Sequence, residues 1–480
     1  MALRRFLRDS ALYGAANMVA RGMVFLLLPL YTKVLTQAEV GAFEWLSAAS
    51  LTLLAILPLE VTQALARLRT QDLTTEEVQR QSRTAFSFTL LMLGGFAVLM
   101  MVLAGSLNMG PMSRMSPGLL VAAAALLLIN GLLYFVQNEL RWSGRADRYA
   151  FTSIVTAVVT ALTAVLMLMV MEAGILGLYF AMMLGSACGA VLAMRSLPYL
   201  LQFRLNRGEL APLLRFSIPL AISSATIILA MTVDRLLVAQ HLNLEALGIY
   251  GVAMRVAAIA MLALQGFQLA VLPATIGQGQ IGQREAQLER SFRVFLLIAI
   301  SLALILSAIS PWLLRMLAAP AYGAAQTYVP VLLVGTVAGA VYPFAPGLWL
   351  TGRTRSMAGL GLVLVVVGLG ISSWLIPWIG VMGAALAYSI TGLVYAGLML
   401  WTSDKVFPVS RAYLRLIVSV ILFLLSAATQ TAASVHEWPT GWRLSTVAFT
   451  LVPLTWLLTT SHDRQQCLGW IRILIRRISS

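Results

Sequence analysis

Four ionisable side chains stand inside long apolar stretches of this sequence: Arg21, Glu60, Asp234 and Arg255. An arginine in such surroundings offers a planar fork of donors to a carboxylate or a phosphate. A carboxylate there can hold a proton or a small cation. Ser10, Gly14 and Asn17 precede Arg21 at steps of four, three and four, so one helical face would carry a polar stripe with the arginine. Ser223, Thr226, Ala230 and Asp234 form a similar stripe, and Arg255 shares a face with Gly248 and Gly251. Two roles are open to these charges. Arg21 with Glu60, and Asp234 with Arg255, differ in depth by about four residues, roughly 6 Å of helix rise, and could close as two ion pairs that pin neighbouring helices. Alternatively, Arg21 and Arg255, with Asn17, line a cationic cavity that attracts an anion. Asp234 and Glu60 would then carry a coupling H+ or Na+.

Residues that do covalent chemistry are scarce. Only two lysines occur, Lys33 and Lys405, and neither follows a glycine-rich loop, which excludes a Walker-type phosphate loop. His241, His436 and His462 are isolated, and Cys188 and Cys467 have no metal spacing. No HExxH, GxSxG or paired-aspartate nucleotide-sugar motif is present. The pattern argues against an enzyme and calls for no cofactor and no metal.

The elements that position these residues are membrane helices. Of 480 residues, 60% are hydrophobic and 11% charged, with a mean hydropathy of +0.88. A soluble chain carries roughly a quarter charged residues. The apolar residues fall in runs of about 20–25, the length that crosses a bilayer core, and only helices satisfy their own backbone there. The runs predict an all-α polytopic membrane protein of about fourteen spans, the first near 10–31, the second 41–66, the tenth 325–347 and the last 443–461. The net charge of +15 is not a nucleic-acid signature, because its distribution follows the loops. Of 33 Lys and Arg residues, 26 fall in loops on the side of the N-terminus and four, Lys33, Arg114, Arg315 and Arg443, on the other. The positive-inside rule then places both termini in the cytoplasm. The first apolar stretch, interrupted by Arg21, is too long for a cleaved signal peptide.

A weak repeat runs through the chain. Leu7-Arg8-x-Ser10 recurs as Leu214-Arg215-x-Ser217, and Gly41-x-Phe43 recurs as Gly248-x-Tyr250, both at an offset of 207. Two parallel halves of six spans follow from it, 1–212 and 213–407, with two additional helices in 408–463. Residues 464–480 space Leu468, Ile471, Ile475 and Ile478 helically among arginines, which suits a basic amphipathic tail on an anionic leaflet or a charged end that fixes topology. Thr74-x-x-Glu77 predicts a capping box at the start of a small interfacial helix. Pro29, Pro58, Pro219, Pro343 and Pro346 lie within spans, where proline bends helices.

The segment Asn17-Met-Val-Ala-Arg21 through Pro29-Leu-Tyr31-Thr-Lys33, followed by Glu39-Val-Gly41, resembles the first hairpin of the Wzx-like polysaccharide (O-antigen) flippases. Ser143-Gly144-Arg145-Ala-Asp-Arg148-Tyr149 resembles that family's loop between spans four and five. Phe216-Ser217-Ile-Pro219 through Asp234-Arg235 and Gly248-Ile-Tyr250 to Arg255 resembles its second-half hairpin. The resemblance touches most of residues 5–275. It implies the MATE-like fold of the multidrug/oligosaccharidyl-lipid/polysaccharide (MOP) superfamily, two six-helix bundles around a cavity that opens alternately to either side. It also implies a substrate, an undecaprenyl-pyrophosphate-linked oligosaccharide flipped to the outer leaflet of the bacterial inner membrane. Arg21, Arg255 and Asn17 would hold the pyrophosphate, and Arg141 and Arg145 would admit it from the cytoplasm. Membrane lipids and polysaccharide polymerase or export proteins would be partners, and nucleic acid would not.

Other readings are open. A drug/cation antiporter of the same fold would be expected to have an acidic or apolar cavity, whereas these mid-membrane charges lean basic. A peptidoglycan-precursor flippase would carry an Arg-Asp-rich first segment that is absent. A membrane-embedded glycan polymerase usually needs a substantial outer loop, and all loops here are short. A channel would show a pore-lining ring or filter motif.

Overall fold

A computed structural model describes residues 27–69, 74–106, 110–276, 281–350 and 354–460, together with Gly14, Gly22 and Phe25. Every regular element among them is helical. Eleven helices are long and apolar enough to cross a membrane, and Pro320–Thr327 with Val329–Phe344, bent by 59°, makes a twelfth if taken as one broken span. The expected fourteen exceed this by two. The first span, with Arg21 and Asn17, lies largely outside the described residues. The last forms a helix, Thr440–Leu458, that is not among those apolar enough. Large side chains such as Val102, Trp378 and Phe449 point outward, 73–85% exposed, which only a lipid surroundings makes favourable.

Local chemistry sets the helix ends. Thr36 and Glu39 form a capping box on Gln37–Ile56, and Thr74 and Glu77 form another. The second begins Thr75–Leu103, a long membrane helix rather than a small interfacial one, because the apolar run continues without a break. Ser116 caps Pro117–Trp142, with Pro117 at the first position where its missing N–H costs nothing. That helix stops at Gly144, whose φ of +66° lets the Arg145 amide reach back to the Leu140 carbonyl at 3.0 Å. Asn206 caps the long helix Arg207–His241, which runs on through Pro212 and Pro219.

The chain divides into two compact units. The first comprises the described residues of Met1–Val252, Met316–Tyr322 and Arg353–Ala387. Part of its core is built by Val61, Leu65, Phe86, Phe135 and Leu140. Small residues bring its helices together: a Cβ on Gly185 or Gly189 would lie 2.0 Å from the Thr160 or Thr156 hydroxyl of Ala146–Val165. The closest approach is reciprocal. A Cβ on Gly41 would lie 1.8 Å from the Leu244 carbonyl oxygen, and one on Gly248 would lie 2.2 Å from that of Gln37. Gly41 and Gly248, like Gln37 and Leu244, are separated by the repeat offset of 207. So are Thr36 and Asn243, and each accepts a hydrogen bond from the amide three residues on. Residue meeting equivalent residue in both directions is the signature of an approximate two-fold contact.

The second unit comprises the described residues of Ala253–Arg315, Gly323–Gly352 and Tyr388–Ser480. Phe267, Phe292, Phe295 and Phe344 pack in a chain of rings, the tightest pair 4.7 Å apart. Arg443, expected as an outer loop charge, is instead buried between Tyr413–Val435 and Thr440–Leu458. Its guanidinium donates to the Gln430 carbonyl at 3.1 Å and to the Ser434 hydroxyl, and the Gln430 amide returns a bond to the Arg443 carbonyl at 2.9 Å.

Candidate functional site

The second predicted span is interrupted where Pro58 removes a backbone donor. Leu59 and Glu60 both adopt φ of 50°, the left-handed region that costs a non-glycine residue about 1–3 kcal/mol. The Glu60 carbonyl then accepts from the Gln63 and Ala64 amides and starts the helix Val61–Leu68. Its side chain makes no cap hydrogen bond. Glu60 lines a cavity of about 170 Å³ with Leu51, Leu54, Thr62, Tyr134 and Ile228, all of the first unit. Ser224 and Tyr134 stand close to this carboxylate. A carboxylate at a helix break in a mostly apolar cavity is equipped to take up and release a proton or a small cation.

Asp234 is buried, 2% exposed. The Tyr250 hydroxyl donates to its Oδ2, while Oδ1 has no hydrogen-bond partner among the described residues. Tyr250 is the repeat equivalent of Phe43, so the second half has a hydroxyl beside its carboxylate at a position where the first half has none. Arg255 is half-buried within Leu244–Ile276. The polar stripe below Asp234 serves packing at Thr226, whose hydroxyl would lie 2.4 Å from a Cβ on Gly361. Arg21 and Asn17, and with them the Arg21–Glu60 pair, lie outside the described residues.

Arg141 and Arg145 flank the Gly144 turn and are exposed. The Arg141 guanidinium lies 5.1 Å from the Trp142 ring centre, and the Arg145 Nη1 donates to the Ser196 carbonyl. The charges therefore gather as Arg141 and Arg145 at one turn and Glu60 at one cavity.

Two carboxylates escape the sequence reading. Glu139, 2% exposed, sits in the last turn of Pro117–Trp142. Its Oε1 accepts from the Arg69 guanidinium, from Ser82 at 3.0 Å and from Tyr199 at 2.5 Å, and Arg69 also donates to Ser143 at 3.1 Å. Burial, and then the Glu139 charge, push the Tyr199 phenol well above its ordinary range, so it remains a donor. The signal for this network is an acid at the end of an apolar run with an arginine in the preceding loop. Glu44 is 4% exposed and packs over Gly251, where a Cβ would come within 2.3 Å of its Cγ. Gly251 is the residue 207 positions after Glu44, so the repeat itself marks the pair.

A family profile described as "Polysaccharide biosynthesis protein" matches residues 47–325. No curated protein matches the chain significantly. Among solved structures, the lipid II flippase MurJ in an inward closed conformation is similar at 12% identity, covering 96% of this chain and all of that one, with a TM-score of 0.70. An inward-facing multidrug resistance MATE transporter of the MOP superfamily is similar at 15% identity, over 82% of this chain and 94% of that one, with a TM-score of 0.66. A MOP superfamily transporter from Pyrococcus furiosus, described by the reverse polarity of its binding pocket, gives 15% identity, 83% and 95% coverage and 0.61. At these identities the likeness establishes the fold, a MATE- and MurJ-like helical membrane architecture.

Proposed function

This chain belongs to the polysaccharide biosynthesis protein family, and from that premise we propose that it is a flippase for lipid-linked oligosaccharide. The substrate is an undecaprenyl-pyrophosphate-linked oligosaccharide, carried from the cytoplasmic to the outer leaflet of a bacterial inner membrane by alternating access. The observation that carries this reading is the family membership of a chain built as membrane helices. The likeness to a lipid II flippase over its whole length supports it. Residues 1–212 and 213–407 act as the two halves, a division supported by the reciprocal contact of Gly41 and Gly248. Residues 408–463 add two helices, and 464–480 lie on the cytoplasmic leaflet with both termini inside.

Arg21, Arg255 and Asn17 bind the pyrophosphate, for which arginine has the matching charge and geometry. Arg141 and Arg145, exposed at one turn, receive it from the cytoplasmic side. Glu60 and Asp234 carry the coupling H+ or Na+. One charge moved through 100 mV supplies about 2.3 kcal/mol. A polysaccharide polymerase or export protein takes the product. Loss of the protein from cells that make the polysaccharide should trap the oligosaccharide, undiminished in size, in the inner leaflet. A precursor that reaches the outer leaflet normally but fails to lengthen would identify a polymerase instead. The cavity at Glu60 favours a second reading, a cation antiporter of the same fold, for which pH-dependent uptake of organic cations would be the deciding observation.

A further inference from the structure

The helix Tyr413–Val435 begins without a side-chain cap at Ala412, so the positive end of a 23-residue helix is open. Beside it lies a small cavity in the second unit, open to the surroundings. Arg293, Arg411 and Arg415, together with the carboxylate of Glu289, form its polar wall, and Leu416, Leu457 and Leu458 part of its apolar one. Arg411 is 8% exposed. Its Nε donates to Asp404 at 2.8 Å and its Nη2 to the Phe344 carbonyl at 2.6 Å, while the Phe292 ring lies 4.6 Å from the guanidinium carbon. Its Nη1 is buried and has no hydrogen-bond partner among the described residues. A buried guanidinium nitrogen left without an acceptor is costly, and an anion in the cavity would remove that cost. Arg293 already holds Glu289 at 2.9 Å, whereas Arg415 is exposed and forms no ion pair among the described residues.

We infer that this cavity binds the headgroup phosphate of an anionic membrane phospholipid. The phosphate meets the open helix end, the Arg411 Nη1 and the Arg415 side chain, and the acyl chains leave along the leucine wall. A bilayer lipid is favoured over free phosphate because most of the wall is apolar. The depth agrees: Lys405, just after the helix Val381–Asp404 that carries Asp404, stacks 3.4 Å over the half-exposed Trp401 ring, the kind of pair found at headgroup level. The cavity lining includes none of Glu60, Asp234 and Arg255, and the site asks nothing of the transported substrate.

The test is native mass spectrometry of the full chain released from nanodiscs of phosphatidylglycerol and phosphatidylcholine. One phosphatidylglycerol should remain bound per chain and be preferred over phosphatidylcholine. Arg415→Gln, an exposed change that leaves the fold intact, should cut its retention roughly tenfold, the size of one charge-assisted hydrogen bond. Arg411→Lys, which keeps the charge and removes the fork, should weaken it as well. Equal retention of phosphatidylcholine, undiminished retention in folded Arg415→Gln, or displacement by millimolar inorganic phosphate would overturn the assignment. Preferential capture of a polyprenyl pyrophosphate would also overturn it, by making the cavity part of the transport path.

Discussion

Glu139 shows how much one buried carboxylate can organise. Arg69, Ser82 and Tyr199 all donate to it from different segments, so its removal strands three donors, one of them charged. Breaking a buried pair by removing one partner costs about 3–5 kcal/mol. Glu139→Ala should therefore lower thermal stability in detergent far more than Glu76→Ala, an exposed acid near the start of its helix. Equal melting curves would show the network to be idle. Tyr199 adds a pH dependence: its folded phenol is held protonated, so its contribution is complete below the free tyrosine's 10.0 and is lost as pH climbs above it. A Tyr199→Phe protein should lose that alkaline component. At this scale the sequence was partly legible. Glu60 and Asp234 stand out because an acid inside an apolar run is conspicuous. Glu44 and Glu139 do not, since each sits near the end of a run where acids are usually solvated, and only packing reveals that they are buried.

Among the elements, the interrupted second span and the Gly41–Gly248 crossing carry the clearest expectations. The span's length and Pro58 were readable, but the two left-handed residues that follow were not, because leucine and glutamate have no propensity for that conformation. Leu59→Gly should keep the break and stabilise it by about 1 kcal/mol, whereas Leu59→Val should destabilise it, as seen by thermal unfolding. The opposite ranking would mean that the left-handed turn is not formed. At the crossing, Gly41→Ala puts a methyl 1.8 Å from a backbone carbonyl, which cannot move aside cheaply, and a loss of about 1–3 kcal/mol is expected. Gly94→Ala meets nothing within 4 Å and should be neutral or slightly stabilising. The repeat that seemed slight in the sequence gains its meaning here. Its matching residues are those that touch.

For the molecule as a whole, hydropathy alone made the helical membrane fold legible, since water-free surroundings leave the backbone few options. The number of spans was less so. A hydropathy window treats 325–347 as one run, but its chain is bent by 59°, and Trp442 and Arg443 dilute the last helix although it forms. Function depended on a different kind of signal. Loose motifs in the right order pointed to polysaccharide transport, and membership of the polysaccharide biosynthesis family now underlies that reading. The pairing of Asp234 shows why residue roles are harder: depth along two helices suggested Arg255, and a tyrosine one turn earlier takes the hydrogen bond. The most direct measurement is translocation of a fluorescent undecaprenyl-pyrophosphate oligosaccharide in proteoliposomes, comparing wild type with Arg255→Ala and Glu60→Gln. The account predicts gradient-driven translocation by wild type, a loss of about tenfold or more in folded Arg255→Ala, and loss of gradient dependence in Glu60→Gln. No translocation by wild type under any gradient, with uptake of organic cations in its place, would contradict it.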